Sequence, residues 1–313
     1  MQELLDIFRA LADPTRLRIF ALLRAMELSV GELAQVLGQS QPRVSRHVKI
    51  LADAGLAVRR KEGSWVFLAL ADTAPLATLR GAIDQWPGDW VAVDATRLAA
   101  VRADRAAAAE RYFAAHAEQW DAIRSLHIAE SDVEAAMATL LGERPLGRLV
   151  DIGTGTGRML ELFAGQATRA LGVDRSPEML RLARAKLTHG AIDNAELRQG
   201  DLYSLPLDTA SADTVILHQV LHFAQQPGPA IAEAARLLAP GGRMLIADFA
   251  SHQREELRTQ DAHARLGFAD EQIARWFTAA GLETARIQTL EGGELTVKLW
   301  LGERAGAVLE KAA

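Results

Sequence analysis

The stretch Arg148-Leu-Val-Asp-Ile-Gly-Thr-Gly-Thr-Gly-Arg-Met-Leu160 constrains the fold of this chain more than any other. It reads as a short apolar strand, a glycine-rich turn and the start of a helix. Gly153, Gly155 and Gly157 let the backbone turn tightly and approach a ligand closely. The first N–H groups of the following helix then point at that ligand. An acid, Asp151, ends the strand.

From Pro145 onward, strand and helix patterns alternate. Residues 149–152 form one expected strand, with a helix reaching to about 165. Residues 169–173 form the next and end at Asp174, about 20 residues past the first glycine, where dinucleotide folds place a ribose-binding acid. Ser176-Pro177 caps the next helix. Residues 196–198 lead to Gly200-Asp201, residues 214–217 form a buried strand, and residues 229–238 form a helix. Pro240-Gly-Gly242 turns into a strand at 243–249, and residues 282–290 and 294–301 close the chain as a hairpin around Gly292-Gly293. Nicotinamide enzymes share a glycine turn with a downstream acid. Three features favour S-adenosylmethionine: the Gly-x-Gly-x-Gly turn after Asp151, the second acid Asp201 ending the third strand, and the antiparallel ending of the sheet.

The first 71 residues have another character. The whole chain of 313 residues carries 35 Lys/Arg and 40 Asp/Glu, yet residues 1–71 hold 10 basic against 7 acidic residues. A basic head on an acidic body fits a nucleic-acid partner, which needs local positive charge. Leu4, Leu5, Phe8 and Leu11 recur at helical spacing. Asp13-Pro14 restarts the chain with a cap and a first-turn proline. Ser29-Val-Gly-Glu32 has capping-box spacing and opens a short helix that stops at Gly38. Ser40 stands at a cap position before a helix over 41–54. Val44, Val48 and Leu51 would face the core of a helix-turn-helix, leaving Gln41, Arg43, Ser45, Arg46, His47 and Lys49 outside. Gln pairs with adenine, Arg with guanine, and all bond phosphate. Two β-prone runs around Lys61-Glu-Gly-Ser64 complete a winged helix with Arg60 and Lys61 near its tip. The candidate DNA-binding residues are therefore Ser40, Gln41, Arg43, Ser45, Arg46, His47, Lys49, Arg60 and Lys61.

On Ala10-Leu-Ala-Asp-Pro-Thr-Arg-Leu-Arg-Ile19, Ser40-Gln-Pro-Arg-Val-Ser-Arg-His-Val-Lys-Ile-Leu51 and the wing, this region resembles the ArsR family of bacterial repressors. The resemblance implies a homodimer on a palindromic, double-stranded operator. Many members carry a thiolate metal site where this chain reads Glu27-Leu-Ser-Val-Gly-Glu-Leu33. Ser29 and Gly31 stand where cysteines would, so that sensor is absent.

Residues 72–145 read as an Ala- and Arg-rich helical connector, a dimerising or lid region, broken by Trp86-Pro-Gly-Asp-Trp90. Residues 94–120 could form one helix, amphipathic through Leu98, Val101, Ala108, Tyr112 and Phe113. His116, His127 and Glu130 have the spacing of a second ArsR metal site. The acid that should precede them is Ala114, and we read the match as coincidence, with no metal expected.

Residues 110–302 resemble a class I, Methyltransferase-11-type domain through Val150-Asp-Ile-Gly-Thr-Gly-Thr-Gly157, Gly172-Val-Asp-Arg-Ser-Pro-Glu-Met179, Gly200-Asp-Leu-Tyr-Ser-Leu-Pro206 and Leu237-Leu-Ala-Pro-Gly-Gly-Arg-Met244. The resemblance implies that Gly153 and Gly155 back the methionine part of S-adenosylmethionine or S-adenosylhomocysteine, with Asp151 near its ammonium and Gly157 also in the cofactor-binding turn. It also implies Asp174 on the ribose, Asp201 and Leu202 on the adenine, and His218 at the methionine end. Methyl transfer needs an aligned nucleophile, and a base only when the acceptor carries a proton. His218 and His222 are the candidate catalytic residues, each equally readable as a packing residue.

The expected architecture is therefore α/β. A winged helix-turn-helix spans 1–71, the helical connector 72–145, a Rossmann-like methyltransferase sheet 146–302 and a tail 303–313. The chain has no cysteine, which excludes disulfides and thiolate metal sites and fits a reducing cytoplasm. Its first residues are acidic where a signal peptide is basic, and no apolar run is long enough for a membrane span. The combined regions resemble S-adenosylhomocysteine-responsive ArsR regulators of methionine metabolism. That implies a transcriptional regulator, expected to be a repressor, switched by the nucleoside ligand. The alternatives are a working small-molecule methyltransferase with an appended DNA-binding domain, and a DNA-binding dimer whose second domain is scaffold.

Overall fold

The computed structural model describes residues 2–62, 65–71, 89–120, 129–291 and 293–306. It divides into two compact units, residues 1–108 and 109–313. In the first unit the elements run α1 (Gln2–Leu11), α2 (Pro14–Ala25), β1 (Leu28–Ser29), α3 (Val30–Leu37), α4 (Gln41–Asp53), β2 (Ala57–Glu62) and β3 (Trp65–Leu70). The long helix α5 (Asp89–His116) begins in this unit and ends in the second.

Local chemistry sets these boundaries. Asp13 caps α2 by accepting the Arg16 N–H, and Pro14 occupies the first turn. Ser29 and Glu32 form a full capping box at α3, which ends at Gly38 in the left-handed region. Ser40 precedes α4 in extended backbone, but its side chain makes no capping bond, contrary to its expected role there. The strands order as β1-β3-β2, with a two-residue β1 that periodicity did not reveal. The core joins Ile19, Phe20, Leu33, Val44, Val48, Leu51, Leu56 and Leu68 to Leu98 and Val101 of α5. Arg18 fixes α5 with a two-pronged bond to Asp94, at 2.7 and 2.6 Å. Arg97 adds a bond to the Val36 carbonyl.

The second unit holds the end of α5, α6 (Glu130–Leu141), β4 (Gly147–Ile152), α7 (Arg158–Phe163), β5 (Ala167–Asp174), α8 (Pro177–His189), β6 (Ala195–Gln199), β7 (Ala212–His218), α9 (Pro227–Arg236), β8 (Leu238–Phe249), α10 (Glu256–Gln260), α11 (Asp270–Ala279), β9 (Leu282–Leu290) and β10 (Val297–Arg304). Seven strands order as β6-β5-β4-β7-β8-β10-β9. The first five are parallel, and β10 runs antiparallel between β8 and β9. Two apolar layers cover the sheet. One packs Leu149, Ile216 and Leu245 with Val133, Met137 and Leu140 of α6, and the other packs Val150, Val215 and Ile246 with Ile231 and Phe277. Arg158 locks α7 to α6 through both oxygens of Glu134.

Several expected bounds shift. The long helix starts at Asp89 and gives way after His116 to a 3-10 turn, instead of running from 94 to 120. The helix after the glycine turn is only six residues, followed by a 3-10 turn to Gln166. Strand β8 begins at Leu238, so Pro240-Gly-Gly242 lies inside it, and the register shifts there. The last strand falls at Val297–Arg304. The turn residue Gly292, Trp86-Pro-Gly88, His127, the wing tip at 63–64 and the end of the tail at 307–313 lie outside the described residues.

Candidate functional site

The glycine turn lies at the carboxyl ends of β4 and β5, where parallel sheets bind ligands. Gly153, Gly155 and Gly157 all have positive φ, at 72°, 53° and 84°. The Gly153 and Thr154 N–H groups both donate to the Val173 carbonyl, tying the turn to β5. A Cβ at Gly153 would come within 2.3 Å of the Val220 side chain, so only glycine fits. One at Gly155 would instead face the indole of Trp120 at 3.5 Å.

Asp174, the last residue of β5, is half-buried. Its carboxylate accepts the Gly155 N–H and the Ser176 N–H, each at 2.8 Å. It therefore joins the glycine turn to the start of α8. Burial pushes its pKa up, against the pull of these N–H donors. A carboxylate offers about four acceptor positions, so capacity remains for ligand hydroxyls. Asp151 is only 1% exposed and accepts the Thr154 hydroxyl at 2.5 Å, which holds the turn from beneath. Asp201 follows β6. It accepts the Tyr203 N–H and pairs as an isolated bridge with Ser204, leaving Asp201 and Leu202 half-buried.

His218 ends β7 and is buried. Its Nε2 lies 3.2 Å from Glu130 Oε1, at the first turn of α6. His222 is also buried, with Nδ1 donating to Asp248 Oδ1 at 2.8 Å. Asp248 also accepts the Leu221, His222 and Phe249 N–H groups. The His222 ring packs against Phe223 and His263, with centroids 4.0 and 4.3 Å away. The two histidines thus belong to separate acid–imidazole pairs.

The end of α5 and the turn after it supply an aromatic cover. Tyr112, Phe113 and Trp120 pack with Met179 and Phe223. The Tyr112 hydroxyl donates to Asp261 at 2.9 Å, and burial together with this bond raises its pKa.

In the first unit, Gln41, Arg43, Ser45, Arg46 and Lys49 are exposed on α4, as is Ser40 ahead of it. Lys49 pairs with Asp53. His47 departs from the expected outward face. Its ring is largely buried, with Nδ1 3.6 Å from Asp13. Burial opposes ionisation of Asp13, but the Arg16 N–H and the charges of Arg16 and His47 outweigh it and lower its pKa. Arg60 and Lys61 lie in β2 opposite Phe67 and Val66, while their side chains lie outside what is described. Among the described residues no group of three His, Asp or Glu could hold a metal ion.

Sequence reading missed three contributors: Trp120 over Gly155, Thr154 on Asp151, and Glu130 on His218. Glu130 stood out only through a metal-site spacing. Nothing local to it signals a partner 88 residues away.

This arrangement defines a helix-turn-helix protein joined to a methyltransferase-type Rossmann sheet. Residues 11–60 match the model of a helix-turn-helix domain, and residues 150–246 that of a methyltransferase domain. The arsenic resistance transcriptional regulator ArsR1 of Pseudomonas putida is 41% identical over 106 residues, covering 32% of this chain and 82% of that protein. The malonyl-[acyl-carrier protein] O-methyltransferase of Herminiimonas arsenicoxydans is 35% identical over 184 residues, covering 56% of this chain and 66% of the enzyme. The crystal structure of YcgJ from Bacillus subtilis aligns at a TM-score of 0.48 and 19% identity, over 55% of this chain and 97% of its own. The chain belongs, through its N-terminal part, to the ArsR family of transcriptional regulators, and it carries a methyltransferase domain behind that part.

Proposed function

We propose that the chain is a DNA-binding repressor whose methyltransferase-like unit binds S-adenosylmethionine or S-adenosylhomocysteine and thereby controls DNA binding. The observation that carries this reading is α5. Arg18 and the winged-helix core hold its first half, and its last turns lead into the aromatic cover whose Trp120 faces Gly155. A nucleoside ligand seated at Gly155 meets that cover. Asp174 takes the ribose hydroxyls, Asp201 and the Leu202 N–H take the adenine, and the Gly153–Gly155 backbone lies under the methionine arm. Gln41, Arg43, Ser45 and Arg46 read or position DNA, with Ser40, Lys49, Arg60 and Lys61 on phosphates, in a homodimer on a palindrome.

The two ligands differ by one methyl group and one positive charge. A near-complete switch needs about 5.5 kcal/mol of differential affinity between DNA-competent and incompetent states. Equal affinity for both states switches nothing. The test is a mobility shift of DNA from upstream of the chain's own gene, titrated with each ligand. Retardation that changes with either one supports the reading, and indifference to both removes it.

A second reading, an active small-molecule methyltransferase, draws on the Asp248–His222 pair. Asp248 fixes the tautomer that leaves Nε2 as a proton acceptor. Transfer of labelled methyl to candidate acceptors favours that reading, and its absence favours pure sensing. Among the described residues no helix is long and apolar enough to cross a membrane.

A further inference from the structure

Resting on the reading of the glycine turn as an S-adenosyl site, we infer that Glu130 sets the preference for the charged sulfonium ligand over the uncharged thioether. Asp151 of β4 pairs with Ile216 of β7, and the two strands end just beyond, at Ile152 and His218. Side chains two apart on a strand share a face, so His218 lies on the face of Ile216. That face is the one α6 covers, since Ile216 packs with Val133, Met137 and Leu140. Glu130 is the first residue of α6, and it reaches His218 Nε2 at 3.2 Å. Its side chain is 13% exposed and that of His218 is 3% exposed. A carboxylate so placed acts through little water, and its field is felt strongly by a nearby cation.

The rest of the edge is allotted by position. Asp174 ends β5 and Asp201 follows β6, so these two take the nucleoside half. On that reading the remaining arm of the ligand, with sulfur and amino acid, would lie across Gly155 and Gly153 on the β7 side. Its neighbours there are the buried Asp151 beneath the turn and the Glu130–His218 pair beyond it. Both ligands carry the same ammonium and carboxylate, so contacts to those groups cannot distinguish them. The methyl group and the positive charge on the sulfur do, and Glu130 supplies an opposite charge from outside the glycine motif.

The test is calorimetric titration of the full chain and of Glu130→Gln and Glu130→Asp with each ligand separately, with circular dichroism to verify the fold. For Glu130→Gln the dissociation constant of S-adenosylmethionine should rise about tenfold, and that of S-adenosylhomocysteine less than about twofold. Glu130→Asp, which keeps the charge, should retain the native order of preference. Equal weakening of both ligands, or an unchanged ratio in Glu130→Gln, overturns the inference while leaving the ligand site intact. So does a Glu130→Asp variant that loses the preference. If the native chain takes up neither ligand, the underlying reading fails and this inference falls with it.

Discussion

Helix α4 presents Gln41, Arg43, Ser45, Arg46 and Lys49 to solvent, whereas the carboxyl edge of the large sheet keeps Asp151, His218, His222 and Asp248 almost wholly out of it. The first region is built to meet a polyanion, with polar side chains on a helix that buries only Val44, Val48 and Leu51. The second surrounds a glycine backbone with polar groups that already hold one another. An exposed reading surface tolerates substitution without loss of fold, because its side chains do little for the core. A buried polar edge does not, because removing one partner strands the other.

The largest expected effect tests the buried side. Asp248→Ala leaves three backbone N–H groups and His222 Nδ1 without their acceptor, and stability should fall by about 3–5 kcal/mol. Thermal unfolding that barely changes would show that this edge is not held by the pair. Asp174→Ala should weaken nucleoside binding by about 1.5–3 kcal/mol, the worth of hydrogen bonds to a charged group. Undiminished affinity by calorimetry would place the ribose elsewhere. The same carboxylate gives a pH signature. Its pKa is raised by burial, and protonation removes the acceptor. Affinity should therefore decline as pH falls through a range above that of an ordinary aspartate.

On the exposed side, Arg46→Ala should leave unfolding unchanged. It should lower the salt slope of DNA binding if Arg46 touches phosphate, or relax one base position by about 1–3 kcal/mol if it reads guanine. No change in either would remove Arg46 from the interface. The smallest effects come from two serines. Ser29→Ala should cost about 1 kcal/mol by dissolving a capping box, while Ser40→Ala should stay within about 0.5 kcal/mol because it caps nothing. Equal losses at the two would show that Ser40 contributes to the fold after all.

The same contrast explains what the sequence made legible. Caps, turns and periodicity are local, so Asp13, Ser29, Gly38, the α4 core positions and the glycine turn could be read directly. Strands β4, β5 and β8 announced themselves as apolar runs with an acid at or next to their ends. Pairings between distant segments left no local mark: Glu130 with His218, Asp248 with His222, Tyr112 with Asp261, and Trp120 with Gly155. His47 shows the same limit from the other side. Helical periodicity left it outside with its neighbours, and only the approach of Asp13 from α2's cap explains why it turns inward. The two-residue β1 was invisible for a similar reason, since its pairing with Leu68 and Phe67 comes from β3.

The central claim is that occupancy at the glycine turn alters the affinity of α4's face for DNA. Fluorescence anisotropy tests it most directly, with labelled upstream DNA titrated at fixed salt with and without saturating S-adenosylmethionine or S-adenosylhomocysteine, on the native chain and on Asp174→Ala. The account predicts that at least one ligand moves the dissociation constant for the native chain, and that Asp174→Ala blunts the response while its ligand-free DNA affinity stays native. An unchanged DNA affinity, in a chain that calorimetry shows to be saturated with ligand, would contradict it.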